Sequence, residues 1–377
     1  MRKIVVFGAT GYTGELTVEA LVKRGLKPIL AGRNESRLND IAERFGLSYQ
    51  LADVADLESV KSLVEKGDVL ISTVGPFMRY GRTAVEAAVA KGAHYIDSTG
   101  EPEFVRCVVE EFDRRAKQSG SCLLTAAAYD YFPGNCAAAQ ALEMAGEDAT
   151  RVDIGYYGIG KDCLVLSDGT KESIINIMTV PGRFWRNGQL IKGFGGTRLR
   201  RFTVANKRRA AISVSTSEGF FLPKSFPHIK DINVYLGWFG GASYLLQFMA
   251  ITSSIFLKLP GSGKLLQKMQ PFLFQSKGKG PDKVARDRGA SQVLAIAYNK
   301  EGKVLSKFEL EGVHGYTFTA NMLAWVAEQL NQHEVTQSGA LGPVEVFGAD
   351  RLLEGCKEAG LTLVAEKGHK PWSLKGA

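Results

Sequence analysis

The residues with the most evident chemistry are three glycines close to the start of the sequence. Gly8, Gly11 and Gly14 stand in Gly8-Ala9-Thr10-Gly11-Tyr12-Thr13-Gly14, directly after the apolar run Ile4-Val5-Val6-Phe7. A strand that feeds a glycine turn and opens a helix is the setting in which a dinucleotide pyrophosphate is bound. Gly8 permits the tight turn, Gly11 lets the backbone approach the phosphates, and Gly14 lets the helix pack close on the strand. The helix start, with Thr10, Tyr12 and Thr13 around it, offers free N–H groups and a positive dipole end to the anion. The spacing departs from GxGxxG, so its weight comes from its place after the first strand of a longer alternation.

The end of the second expected strand distinguishes the cofactors. An NAD site usually carries an acid there for the ribose hydroxyls, and that carboxylate would repel a 2′-phosphate. Here Ile29-Leu30-Ala31 runs into Gly32-Arg33-Asn34, with Arg37 one helical turn on and no acid before Glu35. A guanidinium at this point pairs with a phosphate through two hydrogen bonds. The expected cofactor is NADP(H); the plainer alternative is that Arg33 is a solvated surface residue. Asp53-Val54 after the third strand and Thr73-Val74-Gly75-Pro76-Phe77 after the fourth line the same crevice, because ligands of open α/β sheets sit at these strand ends. Asp97–Glu101 after the fifth is a further wall, although Glu101 can equally be a structural helix acid. Tyr157 and Lys161 fit YxxxK, yet the glycines between them and the strand-like run before them argue against a shared helix face. No histidine or cysteine spacing suggests a metal. The five cysteines are scattered and form no CxxC pair, which fits a reducing compartment.

These residues need a scaffold, and the apolar periodicity supplies one. Strands are expected at Ile4–Phe7, Pro28–Ala31, Ser48–Leu51, Val69–Ser72, His94–Asp97 and Cys122–Thr125. Helices are expected between them at Gly14–Lys23, Ser36–Phe45, Leu57–Lys66, Thr83–Lys91 and Glu103–Gln118. Such alternation predicts an α/β fold with a Rossmann-type, doubly wound parallel sheet over residues 1–130. A second, α+β domain follows over 131–318. A helix at Asn135–Ala145 leads into strands at Arg151–Tyr157, Leu199–Val204, Ala211–Thr216, Gln292–Tyr298 and Val304–Leu310. Hairpin spacing makes its sheet mainly antiparallel. Residues 319–377 carry C-terminal helices, Thr319–Asn331 and Val346–Ala359, expected to pack back on the first domain.

Length and composition are those of a globular chain: 377 residues, 45% apolar and 23% charged, which excludes fibrous, low-complexity and polytopic membrane classes. The net charge of +8 is local. Residues 1–150 hold 17 basic and 21 acidic residues, whereas 173–217 hold nine basic residues and no acid. The strip comprises Arg183, Arg186, Lys192, Arg198, Arg200, Arg201, Lys207, Arg208 and Arg209. It argues against nucleic-acid binding, and its plainest role is a solvated strand face. Between Asp231 and Lys258 lie 26 uncharged residues, long enough to span a bilayer but weakened by Asn233, Gln247 and Thr252-Ser253-Ser254. A buried helix, a dimer face, the wall of an apolar tunnel or a helix on a membrane surface suits 232–257 better. Gln275–Gly280 reads as a surface loop. The run Ile4–Phe7 is too short for the core of a secretory leader, so the chain is expected to start directly in its fold.

Taken together, GATGYTG, AGRNESRL, STVGPFMRYG, HYIDSTGE and AAYDYFPGN across 8–135 resemble the saccharopine dehydrogenase-like NADP-binding oxidoreductases, trans-acting enoyl reductase branch. SDGTKES (167–173), GKGPDKVARDRG (278–289), GYTFTA (315–320) and GALGPVEVFG (339–348) extend the resemblance over nearly the whole chain. One block departs from the family pattern: Ala128-Tyr129-Asp130 replaces a Gly-Phe-Asp start, and Asn135 replaces a second Asp. The resemblance implies NADP(H), hydride transfer to an activated C=C or C=N bond, and a chain end that returns to the first domain. It supplies no defined acid. By position after the last Rossmann strand, Asp130 and Tyr129 are the catalytic candidates, with helix capping as the structural alternative for Asp130.

The expected function is an NADPH-dependent reductase of a large apolar, acyl- or polyketide-like substrate, small-molecule or carrier-bound. The alternatives are a saccharopine-type imine reductase on an amino-acid adduct, or a non-enzymatic NADP(H)-binding sensor or lipid-associated protein. The expected location is the cytoplasm, with peripheral membrane or acyl-carrier contact through 183–209 and a possible homodimer.

Overall fold

The computed structural model describes residues 2–160, 181–256, 280–333 and 335–364, without the side chains of 253–256. Lys161, Cys163, the SDGTKES block, Gly278-Lys279 and nearly all of Gln275–Gly280 lie outside the described residues. Along the chain come β1 (Ile4–Phe7), α1 (Tyr12–Lys23), β2 (Ile29–Gly32), α2 (Glu35–Phe45), β3 (Tyr49–Leu51), α3 (Leu57–Lys61), β4 (Val69–Ser72), α4 (Phe77–Lys91) and β5 (His94–Asp97). A long helical stretch follows, α5 (Pro102–Cys107) and α6 (Asp113–Ser119) joined through a π turn, and then β6 (Cys122–Leu124) and α7 (Phe132–Ala145). Next are β7 (Arg151–Ile159), β8 (Gly182–Arg186), β9 (Gln189–Gly193), β10 (Leu199–Val204), β11 (Lys207–Val214), α8 (Glu218–Ser225), β12 (Asp231–Leu236) and α9 (Ser243–Phe256). The described chain ends with α10 (Lys283–Arg288), β13 (Ala290–Tyr298), β14 (Val304–Val313), α11 (Gly315–Gln332), β15 (Gly339–Ala340), α12 (Pro343–Glu358) and β16 (Leu361–Leu363).

These elements form two compact units. The first holds residues 1–136, 220–225 and 315–362; the second holds 137–219, 226–314 and 363–377. The first unit contains a parallel sheet of order β15-β6-β5-β4-β1-β2-β3. Its central strands β1 and β4 are apolar except for Ser72 and buried along their whole length, as a sheet covered on both faces requires. The helices are delimited by local chemistry. Asn34 caps α2 through its side chain, Asp56 caps α3, and Gly46 and Gly92 end α2 and α4 in the left-handed region. α4 begins at Phe77 rather than Thr83, because Gly81 is no turn: a Cβ there would lie 2.6 Å from the Phe104 ring. That glycine is a packing contact inside a helix. α11 lies against α1, where Arg24 pairs with Glu328 and Glu358.

The second unit is built on a seven-stranded mixed sheet of order β10-β11-β12-β7-β13-β14-β16. Most pairs are antiparallel, as hairpin spacing predicts, but β7 and β12 run parallel from Arg151↔Asp231 to Tyr156↔Leu236. Tyr157, Phe202, Val204, Ala211, Tyr235 and Leu294 form one of its apolar clusters. β11 starts at Lys207 instead of Ala211. Ala205 and Asn206, with φ of 48° and 60°, turn the chain in two residues, so the basic run Lys207–Arg209 becomes strand. Asn187 and Gly188 turn the β8–β9 hairpin in the same way.

Candidate functional site

At the carboxyl ends of β1, β2, β3 and β4 the first unit opens a cleft of about 240 Å³. β1 ends in Phe7 and Gly8. The φ of Gly8 is 91°, and a Cβ on it would lie 2.8 Å from Thr73 Oγ1. Gly14 is tighter: its Cβ would fall 2.2 Å from the Gly8 carbonyl oxygen. Both positions therefore admit only hydrogen. Gly11, exposed, is the N-cap of α1 and offers no side chain to cap it. The first-turn N–H groups are thus presented without a competing side-chain acceptor, a cradle that fits a pyrophosphate. Thr73 hydrogen-bonds through Oγ1 to the Gly8 oxygen at 3.1 Å and fixes the turn against β4.

Nine of the sequence-predicted cofactor residues line this cleft. From β1 and its turn come Gly8, Thr10 and Gly11, and from the β2 and β3 ends Arg33, Asp53 and Val54. Thr73, Val74 and Gly75 complete them after β4. Arg33 is exposed and has no hydrogen-bond or ion-pair partner among the described residues. Asp53 Oδ1 is engaged by the Ala55 N–H at 2.9 Å.

The other predicted residues are placed elsewhere. Tyr12 packs edge-on against Tyr316, Thr13 accepts the Thr17 hydroxyl through its carbonyl, and Gly14 is the buried packing contact just described. Asn34 uses Oδ1 to cap α2 by accepting the Arg37 N–H at 3.1 Å. Arg37 is exposed on α2 and does not line the cleft. Pro76 is the N-cap of α4, and Phe77 is a core residue stacked obliquely on Phe104. Sequence reasoning missed Tyr80, which lines the cleft from the first turn of α4. Starting that helix at Phe77 is the signal that finds it.

Two acids support the loops around the cleft. Glu101, buried at the end of the β5 loop, accepts the N–H groups of Phe77 at 2.7 Å and Met78 at 3.1 Å. Its carboxylate caps α4 and completes the alignment of charge with helix dipole. Asp97 accepts the N–H groups of Thr99 and Ala126 on one oxygen, each at 2.8 Å, and holds Ala126 at a φ of 59°. Burial pushes the Asp97 carboxyl up to about 7.

Beyond Ala126 stand the catalytic candidates. Tyr129 is buried, its ring against Phe318 and the Cα of Gly315, and its N–H is held by Thr319 Oγ1. Asp130 keeps Oδ1 buried with no hydrogen-bond partner, and burial lifts its carboxyl to about 7. The residue as a whole is half-buried. A cap would spend the oxygen on an N–H; this one is unspent. Asn135 turns inward and donates from Nδ2 to the Tyr131 carbonyl at 2.9 Å, a structural bond. Neither Tyr129 nor Asp130 lines the cleft at β1–β4. Tyr157 is on strand β7, so the pairing with Lys161 has no helix to bring it together.

Residues 4–124 match the saccharopine dehydrogenase NADP-binding domain family. That stretch, about a third of the chain, is a saccharopine dehydrogenase-type NADP-binding domain. Its cofactor is NADP(H), as the glycine turn and Arg33 led one to expect. A Mycobacterium tuberculosis protein, whose assignment as a trans-acting enoyl reductase is itself provisional, is 25% identical over 96% of each chain. A lipid droplet localized protein of Caenorhabditis elegans is 33% identical over 35% of this chain and 34% of its own. Among solved structures, the apo saccharopine dehydrogenase (L-Glu forming) of Saccharomyces cerevisiae superposes with a TM-score of 0.59. It covers 97% of this chain and 100% of its own at 11% identity, a likeness of fold. No helix among the described residues of this oxidoreductase is long and apolar enough to cross a membrane, so 232–257 is not a described span. Among its described residues, Ile232–Leu236 belong to β12, buried in the sheet, and Ser243–Phe256 form the helix α9.

Proposed function

We propose that this protein is an NADPH-dependent reductase acting on the activated C=C bond of a large apolar acyl chain presented as a thioester by a carrier. The observation that supports the reaction class is the similarity, end to end, to the mycobacterial trans-acting enoyl reductase. The cofactor would be held by the Gly8–Gly14 turn, with Arg33 on the 2′-phosphate and Asp53 and Tyr80 flanking the cleft. A reduced nicotinamide held there would be the source of the hydride for the β-carbon of the enoyl group, two electrons that the chain's own residues do not provide. The second addition is a proton to the α-carbon. Asp130 is the group suited to hold it, because a buried carboxyl lifted to about 7 keeps its proton on about half of the molecules at neutrality, where an ordinary carboxylate keeps almost none. Glu101 and Asp97 act through others, the first by fixing the start of α4 and the second by fixing the loop that carries Asp130.

The described cysteines are all buried and unbridged, which supports a cytoplasmic setting where an acyl carrier is available. The test is NADPH oxidation across a panel of enoyl thioesters, ketones and amino-acid/keto-acid pairs. Turnover is expected on long enoyl thioesters and greater when a carrier holds them. Turnover confined to amino-acid/keto-acid pairs would replace the proposal with imine reduction.

A further inference from the structure

Helix α9 is built inside out. Ser243, Gln247 and Ala250 follow an i, i+4, i+7 spacing on one side, and that side faces the sheet. Ser243 and Ala250 are buried, and Gln247 Nε2 donates to the Thr197 carbonyl at 3.3 Å. On the opposite side stand Tyr244, Leu245, Phe248 and Met249, exposed by 44%, 62%, 66% and 51%. The polar residue on that side, Thr252, turns its hydroxyl back to the Phe248 carbonyl at 3.0 Å. Of the described large apolar residues only Leu246 shares the inner side, half-buried between Ser243 and Ala250, while four others stand outside, against the ordering usual for a helix in water.

The border of this stripe is cationic. Arg201 Nε donates to the Tyr244 hydroxyl at 2.6 Å, and its guanidinium lies 5.5 Å from the ring centroid. The β10–β11 register, Thr203↔Arg208 and Arg201↔Ala210, puts Arg208 on the same sheet face as Arg201, and both are exposed. Arg200 points to the other face and is spent inside, paired with buried Asp153. No acidic residue occurs in 183–217 or 232–257. Covering the stripe with the same stripe of a second copy would press arginine borders together, which disfavours self-association. A surface that offers hydrocarbon to Leu245, Phe248 and Met249 and phosphate to Arg201 and Arg208 satisfies both chemistries at once.

We propose that α9 seats the second unit on an anionic lipid surface, lying in the headgroup boundary with its Leu245–Phe248–Met249 stripe inward. The seat holds whichever double bond the enzyme reduces. The full chain is floated with vesicles of phosphatidylcholine alone or mixed with phosphatidylglycerol, at low and high salt. The protein is expected to float with the anionic vesicles at low salt and less at high salt. Leu245→Asp with Phe248→Asp should lower the bound fraction at least about tenfold. Arg201→Gln with Arg208→Gln should lower it at least about fivefold, on anionic vesicles only. Thermal unfolding and NADPH titration check that each variant is folded. A wild-type protein that stays in the soluble fraction with both vesicles would overturn the proposal. So would an apolar double variant that floats like wild type, or a solution dimer that this variant dissociates.

Discussion

Replacing Arg33 with alanine tests whether the cleft reads the 2′-phosphate. The side chain is at the end of β2, lines the cleft, and has no partner among the described residues, so nothing else is disrupted by its removal. A charge-assisted pair between guanidinium and phosphate contributes about 1.5–3 kcal/mol. Exposure at the cleft rim favours the lower half of that range, which corresponds to a roughly tenfold to fortyfold rise in the NADPH Kd. NADH lacks the phosphate, and its Kd should stay within about twofold of wild type, since the glycine turn is untouched. Arg33→Lys should be intermediate: it keeps a charge and loses the two-pronged geometry. Calorimetric titration of both nucleotides against each variant gives the four constants needed. Equal losses for NADPH and NADH, or no loss for either, would refute the assignment. An Arg37→Ala variant that loses more than Arg33→Ala would move the phosphate seat one turn along α2.

Gly14→Ala should abolish measurable NADPH binding and destabilise the protein by about 1–3 kcal/mol in urea unfolding, because the new methyl has backbone in its way at 2.2 Å. A variant of wild-type stability and affinity would show that the turn yields. For Asp130→Asn, a plot of kcat/KM against pH is the informative readout. The wild-type value should be level below about 7 and fall tenfold per unit above it, as the acid loses its proton. The variant should be slower by roughly 10²–10⁴ and lack that limb. The same raised carboxyl favours the folded state below the ordinary carboxylate range and loses that contribution as pH rises through about 7, so the variant should gain relative stability in alkali. A variant that keeps the wild-type limb would remove Asp130 from the proton's path.

The parallel sheet and its cofactor were legible because their signals are local. Ile4–Phe7 and Val69–Ile71 are uninterrupted apolar runs, and the Gly8–Gly14 turn carries its purpose in its spacing. Tyr80 escaped because Gly81 reads as a break in a one-dimensional pattern, while its reason is the Phe104 ring, a neighbour distant in sequence. Glu101 left two readings open, and only the N–H groups of Phe77 and Met78 decide between them. The β8–β9 hairpin had an available signal in Asn187-Gly188. The basic strip was the hardest to read. Its sign is written in the sequence, but β10 sorts Arg200 to a buried carboxylate and Arg201 to solvent by alternation alone.

The first unit is assembled from three separate stretches of chain. Its sheet is completed by β15, which pairs with β6 from more than two hundred residues downstream, and α11 is what covers α1. On a ribosome the cofactor turn therefore emerges long before the elements that shield its sheet. The strand edge at β6 and the outer face of α1 stay uncovered through synthesis of the entire second unit. A nascent chain in that condition is a natural client for a chaperone. An excised fragment ending near residue 136 would carry the nucleotide motif intact and still lack the parts that let it stay folded.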